Sequence, residues 1–400
     1  MKKHKPDDIC PRPEFLPPQP TQPAAAPLYT ASVYRCDSPD QASKLLAGEL
    51  PGYVYSRDGH PNADLLAEKC RELHGAERAA ICGSGMAALA AAVLSQAAQG
   101  DHLLVSNQLY GRSIQLLSAE AARLGVDSTL VDACDLEAVE AALRPNTRLL
   151  VVETIANPLL RVADLEALAA LTAKRGALLL VDNTFASPAV CRPLEFGADL
   201  VLESLTKIMS GHSDVLLGLL CGWEQCWQRV PLVLSAWGLS SSPFDCWMAS
   251  RGLGTMALRV ERAATNAMAA ARFLEQRPDV ESVSFPGLAA HPDHSLAVRQ
   301  FGNRFGTVVT FCLRGGQAAA DAFIASARRI PFCPSLGDLN TTLSHPASTS
   351  HRLLSPEARA AQGIRESTIR LSVGIEAEES VLDALGEALD GMQTRLGLAR

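Results

Sequence analysis

Between residues 62 and 221 short apolar runs alternate with amphipathic helical windows, and this alternation constrains the fold more than any other feature of the chain. Strands are expected at 78–81, 102–105, 126–131, 148–152, 177–181, 200–203 and 215–221, with helical windows such as 85–99, 112–124, 136–143 and 164–175 between them. Strands joined through helices need crossover connections, which build a mostly parallel sheet with helices on both faces. The expected class is α/β. In such sheets ligands collect outside the carboxyl ends of the strands.

A long helical window at 255–276 leads to a second region, where strands are expected at 280–285, 307–313 and 368–373 and helices at 317–327 and 378–396. The chain therefore divides into an N-terminal arm (1–50), a larger α/β domain (51–253) and a smaller α+β domain (254–400). The arm is rich in proline up to residue 27, which suits an extended or disordered segment. A short helix is expected at 40–46, and 53–61 reads as a polar surface loop.

Hydrophobic residues make up 48% and charged residues 20%, which is ample core-forming material for a globular fold. A net charge of −7 and a pI near 5.8 argue against nucleic acid or an anionic membrane as the main partner. No apolar run approaches the roughly 18 residues of a membrane span. The start, Met1-Lys-Lys-His-Lys5, lacks an apolar signal core, so a cytoplasmic location is expected. The eleven cysteines are scattered through apolar stretches. The one close pair, Cys221 and Cys226, has no further His or Cys nearby to complete a metal site, so no metal is expected.

The chemistry concentrates at strand ends. The run Ser204-Leu-Thr-Lys207 follows one apolar strand and leads into the glycine turn Ser210-Gly-His-Ser-Asp214; another strand ends in Asp182-Asn-Thr184. A lysine and an acid at neighbouring strand ends are what pyridoxal phosphate (PLP) needs. The amine condenses with the aldehyde, and the carboxylate keeps the pyridine nitrogen protonated. Ser204 and Thr206 place two hydroxyls beside the lysine, suited to phosphate oxygens. Gly83-Ser-Gly-Met86 opens an alanine-rich helix whose first N–H groups favour an anion. Its spacing is not that of a dinucleotide fingerprint, and no acidic ribose partner follows it at the required distance. Tyr110, after the strand at 102–105, can stack on a pyridine face. Arg370, inside the β-like run 368–373, is costly to bury unless it meets an anion such as a substrate carboxylate. Tyr55 and Arg57 offer a hydroxyl and a guanidinium as a second phosphate clamp.

Taken together these segments resemble the Cys/Met-metabolism PLP-dependent enzymes, which include cystathionine γ-synthases, γ-lyases and β-lyases, methionine γ-lyases and homoserine-ester sulfhydrylases. The resemblance runs from about residue 53 to 389. Its segments are Tyr55-Ser-Arg57, Ser84-Gly-Met-Ala-Ala88, Tyr110-Gly111, Glu153 with Asn157-Pro158, Val181-Asp-Asn-Thr184, Ser204-Leu-Thr-Lys207 with Gly211-His-Ser-Asp214, Ser335-Leu-Gly337 with His345-Pro346, and Ile369 to Glu376. It implies the PLP-transferase type I fold, similar to aspartate aminotransferase. It also implies that Lys207 binds the cofactor covalently, that Asp182 pairs with the ring nitrogen and that Tyr110 stacks on the ring. Gly85, Met86, Ser204 and Thr206 would hold the phosphate, and Tyr55 and Arg57 would reach the phosphate of a neighbouring subunit. That arrangement implies a homodimer with shared sites and usually a homotetramer. Arg370 would grip the α-carboxylate of an amino-acid substrate, helped by Ser335 and Asn157.

The departures bear on substrate. The usual Glu-Ser-Pro is Glu153-Thr-Ile155 here, and the usual Asn-Pro-Thr is His60-Pro-Asn62. Methionine γ-lyases carry a cysteine where Arg112 stands, and cystathionine-using members often carry a glutamate where Asn340 stands. The run His345-Pro-Ala-Ser-Thr-Ser-His351 is similar to the sulfhydrylases, whereas Gly211-His-Ser-Asp214 is similar to the cystathionine enzymes. The expected activity is γ-elimination or γ-replacement on a sulfur or O-acylhomoserine amino acid, of cystathionine γ-synthase or γ-lyase type. The alternatives are a sulfhydrylase, a methionine γ-lyase, a cystathionine β-lyase, or a PLP-binding scaffold without turnover.

Overall fold

The computed structural model describes residues 21, 23–352 and 354–398. Most of the proline-rich stretch expected as an extended arm, residues 1–20 and 22, lies outside the described residues. Helix α1 (Pro39–Leu46) forms as expected and is capped by Ser38, whose hydroxyl accepts from Gln41 N. Helix α2 (Pro61–His74) was not singled out in the sequence, although its signals are there. Pro61 sits at the first helical position, His60 Nδ1 accepts from Ala63 N at 3.1 Å, and Gly75 closes the helix with φ +65°.

The alternating region then builds one sheet. Strand β1 (Arg78–Cys82) leads to helix α3 (Gly85–Gln96), and β2 (His102–Ser106) leads to α4 (Gly111–Gln115). Helix α4 passes through a π-helical turn at Leu116–Glu120 into α5 (Ala121–Arg123). Then come β3 (Asp127–Val131), α6 (Leu136–Ala142), β4 (Thr147–Glu153), α7 (Leu165–Arg175), β5 (Leu178–Asp182), β6 (Leu200–Ser204) and β7 (Gly218–Gly222). Two boundaries differ from expectation by three residues, and the other strand ends of this sheet by at most one. Helix α3 ends at Gln96 rather than 99, because Ala97 is extended. Strand β7 starts at Gly218 rather than 215, because Leu217 N is taken by Thr206 Oγ1 at 3.1 Å.

The spatial order is β1-β7-β6-β5-β4-β2-β3. Strands β3, β2, β4, β5 and β6 pair in parallel, and β7 runs antiparallel to both of its neighbours. Side chains of one strand divide between two buried clusters. Leu104, Leu150, Val152, Leu179 and Val181 face one, while Leu103, Val105, Leu149, Val151 and Leu180 face the other. A sheet covered on both faces has no solvent side, which is why its strands read as unbroken apolar runs.

Helices α8 (Val230–Trp237), α9 (Pro243–Leu253) and α10 (Met256–Glu275) follow. The remainder builds an antiparallel four-stranded sheet from β8 (Val280–Ser284), β9 (Val308–Leu313), β10 (Thr342–Ser344) and β11 (Thr368–Ser372), in the order β10-β11-β9-β8. The helices beside it are α11 (His294–Phe301), α12 (Gly316–Ser326), α13 (Pro356–Ala361) and α14 (Glu378–Arg395). Phe285, Phe311, Ile369 and Leu385 of this part belong to the same buried cluster as Val152 and Val181 of the larger sheet. No helix among the described residues is long and apolar enough to cross a membrane.

Strand β7 and the start of α3 approach closely at a glycine. A Cβ on Gly218 would lie 2.1 Å from the Ser84 carbonyl oxygen and 2.8 Å from Gly85 N. Both atoms are backbone, so neither can swing away. Gly218→Ala is therefore expected to destabilise the protein by about 1–3 kcal/mol, read as a lower midpoint in urea unfolding.

Candidate active site

Carboxyl ends of the parallel strands converge on one cavity of about 430 Å³, within the range of small-ligand pockets. Its wall includes Gly85 and Met86 after β1, Tyr110 after β2, Asp182 at the end of β5, and Ser204, Thr206 and Lys207 after β6. Asn157 comes from the loop after β4, where it forms a cis peptide with Pro158, Ser335 from the 334–337 loop and Arg370 from β11. Ten of the twelve residues singled out in the sequence thus line a single space. Tyr55 and Arg57 do not. They lie together elsewhere, with the guanidinium 5.0 Å from the tyrosine ring centre and Arg57 beside a hollow formed with 58–60, 235 and 240–241.

Lys207 Nζ donates to Ser335 Oγ at 2.8 Å. Burial pulls its pKa down, and the nearby Arg370 guanidinium adds to this. Its turn is held from two sides. Arg259 of α10 is buried and donates to Ile208 O (2.7 Å), Met209 O (3.0 Å) and Gly252 O (2.9 Å). Gly337, at φ +79°, lets the 334–337 loop come so close that a Cβ there would lie 2.5 Å from Ile208 N. That same loop carries Ser335, and it is tied to β11 through Gly337 N donating to Ser372 Oγ at 2.9 Å.

Asp182 Oδ1 accepts from Thr184 N at 3.0 Å. Burial pushes its pKa up from the usual carboxylate range, and it has no cationic partner among the described residues. Glu153 stands opposite it in the β4–β5 register and accepts from Tyr110 N (2.7 Å) and Asn157 N (3.0 Å). Burial and the adjacent Asp182 push Glu153 up as well. Arg370 is buried, with Nη1 donating to Asn157 Oδ1 (2.8 Å) and Nη2 to Ser335 O (3.0 Å), while its Nε has no partner. Burial brings its pKa down to about 10. Its hydrogen-bond partners are all neutral, and Glu153, the acid close enough to act on its charge, is held by backbone N–H groups rather than paired with it, an arrangement that favours an incoming carboxylate.

Ser84 caps α3 by accepting from Ala87 N at 3.0 Å. The N–H groups of Gly85 and Met86 donate to no protein acceptor among the described residues. Ser204 lies directly beside them, since a Cβ on Gly85 would be 3.0 Å from Ser204 Cβ. Thr206 Oγ1 is engaged by Leu217, donating to its carbonyl at 3.3 Å and accepting from its N–H at 3.1 Å. Three features fit pyridoxal phosphate: free helix-start amides beside a hydroxyl for a phosphate, a buried acid lacking a cation for a protonated ring nitrogen, and a buried amine of lowered pKa for the aldehyde.

Several supporting residues escaped the sequence reading. Arg259 gives no signal, because a lone arginine in an amphipathic helix reads as part of its solvated face. Thr184 accepts from Ser204 N at 2.9 Å and bridges the ends of β5 and β6, which only the strand pairing reveals. Glu153 stood in the sequence only as part of a family segment, without a role, although an acid ending an apolar run beside the β5 acid belongs to the same rim. Asn340 is absent from the cavity wall and donates through its backbone N to Asp338 Oδ1 at 3.1 Å. Among the described residues no group of three or more His, Cys, Asp or Glu side chains could hold a metal ion.

Residues 14–390 match the sequence profile of the Cys/Met metabolism PLP-dependent enzymes. The chain belongs to that family. An L-methionine γ-lyase of Porphyromonas gingivalis is 40% identical over 92% of this chain and 93% of its own length. An O-succinylhomoserine sulfhydrylase of Pseudomonas aeruginosa is 42% identical over 87% of this chain and 86% of its own. A cystathionine γ-synthase of Xanthomonas oryzae pv. oryzae, solved in complex with cystathionine, superposes with a TM-score of 0.88 at 38% identity, covering 92% of this chain and 94% of that one. The protein is thus a PLP-dependent lyase or transferase of sulfur amino-acid metabolism. These relatives carry three activities at similar distances, so likeness alone does not choose among them. The Arg112 departure from methionine γ-lyases coexists with 40% identity to one of them.

The lowered Lys207 pKa has a measurable consequence. Capture of pyridoxal phosphate by the apoprotein, followed by absorbance, is expected to rise with pH to a midpoint below the ordinary lysine value of 10.5. A neighbouring cation lowers an amine pKa, so Arg370→Ala should move that midpoint upward.

Proposed function

We propose that the protein is a transsulfuration enzyme that removes or replaces the γ-substituent of a sulfur-containing or O-acylhomoserine amino acid, in the manner of a cystathionine γ-synthase or γ-lyase. The observation that carries this reading is the buried Arg370 guanidinium. It lacks a carboxylate partner and shares the Ser335 segment with the Lys207 amine. An α-amino acid has the complementary pair, a carboxylate for Arg370 and an α-amino group to exchange with Lys207. In this reading residues 51–253 form the cofactor domain and 254–400 bring Ser335 and Arg370 to it.

Pyridoxal phosphate, when bound, supplies the electron sink that makes the Cα and Cβ protons removable. Gly85, Met86 and Ser204 would hold its phosphate, with Thr206 beside them once its hydroxyl turns from the Leu217 carbonyl, Asp182 would hold the ring-nitrogen proton, and Tyr110 would cover the ring. Arg370, with Asn157 and Ser335, fixes the α-carboxylate and so orients the Cα–H bond. Lys207, once the substrate amine replaces it, would take the Cα proton as a general base, a role that its lowered pKa favours. The Ser335 hydroxyl aims Nζ. The Tyr110 phenol, at the mouth of the cavity, is positioned to pass a proton to the departing γ-atom. Tyr55 and Arg57 lie apart from the cavity of their own chain, which supports their serving the phosphate of a second subunit in a dimer or tetramer.

A sulfhydrylase is the second reading, supported by the 42% identity to an O-succinylhomoserine sulfhydrylase. Incubating the holoprotein with cystathionine, methionine, O-acetylhomoserine and O-succinylhomoserine, each with and without a thiol, separates the readings. A lyase releases ammonia and a 2-oxo acid from substrate alone, whereas a synthase or sulfhydrylase needs the thiol for its main product. Lys207→Ala is expected to abolish turnover together with the borohydride-fixable chromophore, and retention of both would overturn its assignment. Arg370→Ala should lower kcat/KM by about a hundredfold, mainly through KM. An unchanged KM would refute its carboxylate role.

A further inference from the structure

The Lys207 cavity adjoins a second hollow of about 210 Å³, which shares Tyr110, Thr349, Ser350 and Arg352 with it and adds Arg112 and His351. Its lining contains two guanidinium groups and no carboxylate. Arg112 Nη1 donates to Gln115 Oε1 at 2.6 Å, a neutral partner. Among the described residues neither Arg112 nor Arg352 has an acidic side chain within ion-pair distance. His351 Nδ1 meets Ser350 Oγ at 2.8 Å, and burial, with the Arg370 and Arg359 guanidinium groups, brings its pKa down to about 4, so it is neutral at neutral pH and leaves Arg112 and Arg352 as the charged groups of the hollow.

The inner cavity already provides, in Arg370, a partner for the α-carboxylate. Guanidinium groups beyond Tyr110 therefore answer to a second anion, farther along the substrate than the reacting carbons. We infer that the outer hollow receives a carboxylate at the far end of the γ-leaving group, so that the preferred substrate is a homoserine ester of a dicarboxylic acid, with Arg352 and Arg112 as its cationic partners. This inference rests on the transsulfuration reading and narrows it. A neutral end, such as an acetyl or S-methyl group, leaves both guanidinium groups hydrated and gains nothing from them. A distal ammonium finds no carboxylate there. Because both arginines are solvent-exposed, each contact is weak, and together they supply roughly tenfold discrimination that salt screens.

The same two groups could instead meet the carboxylate of an incoming thiol such as cysteine, and the test distinguishes these sources. Steady-state kcat/KM is measured on the holoenzyme for O-succinylhomoserine and O-acetylhomoserine with hydrosulfide, which carries no carboxylate, and then with cysteine. Wild type is expected to favour the succinyl ester by about tenfold at low salt, with the ratio shrinking as salt rises. In the Arg112→Gln, Arg352→Gln double variant the ratio should fall close to one, and Arg352→Lys should keep part of it. A ratio near one in wild type, or one that survives in the double variant, overturns the inference. So does an unchanged ratio accompanied by a raised KM for cysteine, which would assign the arginines to the nucleophile. Turnover of methionine or cystathionine with neither ester consumed defeats this inference alone. A borohydride-fixed chromophore without turnover of any amino acid defeats the transsulfuration reading itself.

Discussion

Four ionisable groups, Lys207, Arg370, Asp182 and Glu153, meet around one cavity, and burial opposes the charge on each of them. Paired off, two cations and two acids would cancel and leave an inert core. The hydrogen bonds prevent this. Glu153 is taken up by the backbone N–H groups of Tyr110 and Asn157, while Arg370 binds only the neutral oxygens of Asn157 and Ser335. The cavity is left with an amine biased towards neutrality, a guanidinium without an anion, and an acid without a cation. That unbalanced set complements a zwitterionic amino acid and a protonated pyridine ring together. Each mismatch is costly in the empty protein, so ligand binding relieves it.

Holding these groups in place is the task of contacts distant in sequence. Glu153 and Asp182 are neighbours because β4 and β5 pair in parallel register, and Lys207 extends past the end of the next strand. The lysine turn would be free on its outer side without Arg259, which crosses from α10 to saturate the carbonyls of Ile208 and Met209. One guanidinium spread over several carbonyls suits such a task, since a planar fork with five donors can fix several oxygens at once. Removing it would strand those acceptors. The Gly337 approach acts from the opposite side and couples the second sheet to the lysine through Ser335.

The sheet and the inner site were legible because both rest on local patterns. Doubly covered strands must be apolar along their whole length, and residues just past their ends fall on one rim by topology. Asp182, Ser204 and Lys207 could therefore be placed together from spacing alone. Helix α2 and the position of Arg259 were not read. The first lies in a mixed polar segment whose proline, histidine cap and glycine stop are weak taken singly. The second depends on a tertiary contact between residues some fifty positions apart, and its local sequence fits a solvated helix face equally well. The π-helical turn at Leu116–Glu120 likewise has no counterpart in the periodicity of 112–124.

The inner and outer walls of the cavity differ in how firmly the fold fixes them. Asp182, Ser204, Lys207 and Arg370, proposed to hold the cofactor and the α-carboxylate, lie in or just beyond strands fixed by the core, whereas the outer hollow draws on α4 and on the loop at 349–352. Loop residues of this kind change without disturbing the buried clusters, so overall identity carries little information about them. Asn340 illustrates the limit of position-by-position reasoning. Its identity was expected to bear on a distal ammonium, yet the residue stands off the cavity wall and bonds to Asp338. Arg112 and Arg352 do line the outer hollow, and both are cationic. If that hollow receives the far end of a substrate, the charge at these two positions, rather than the residue at 340, would set the choice.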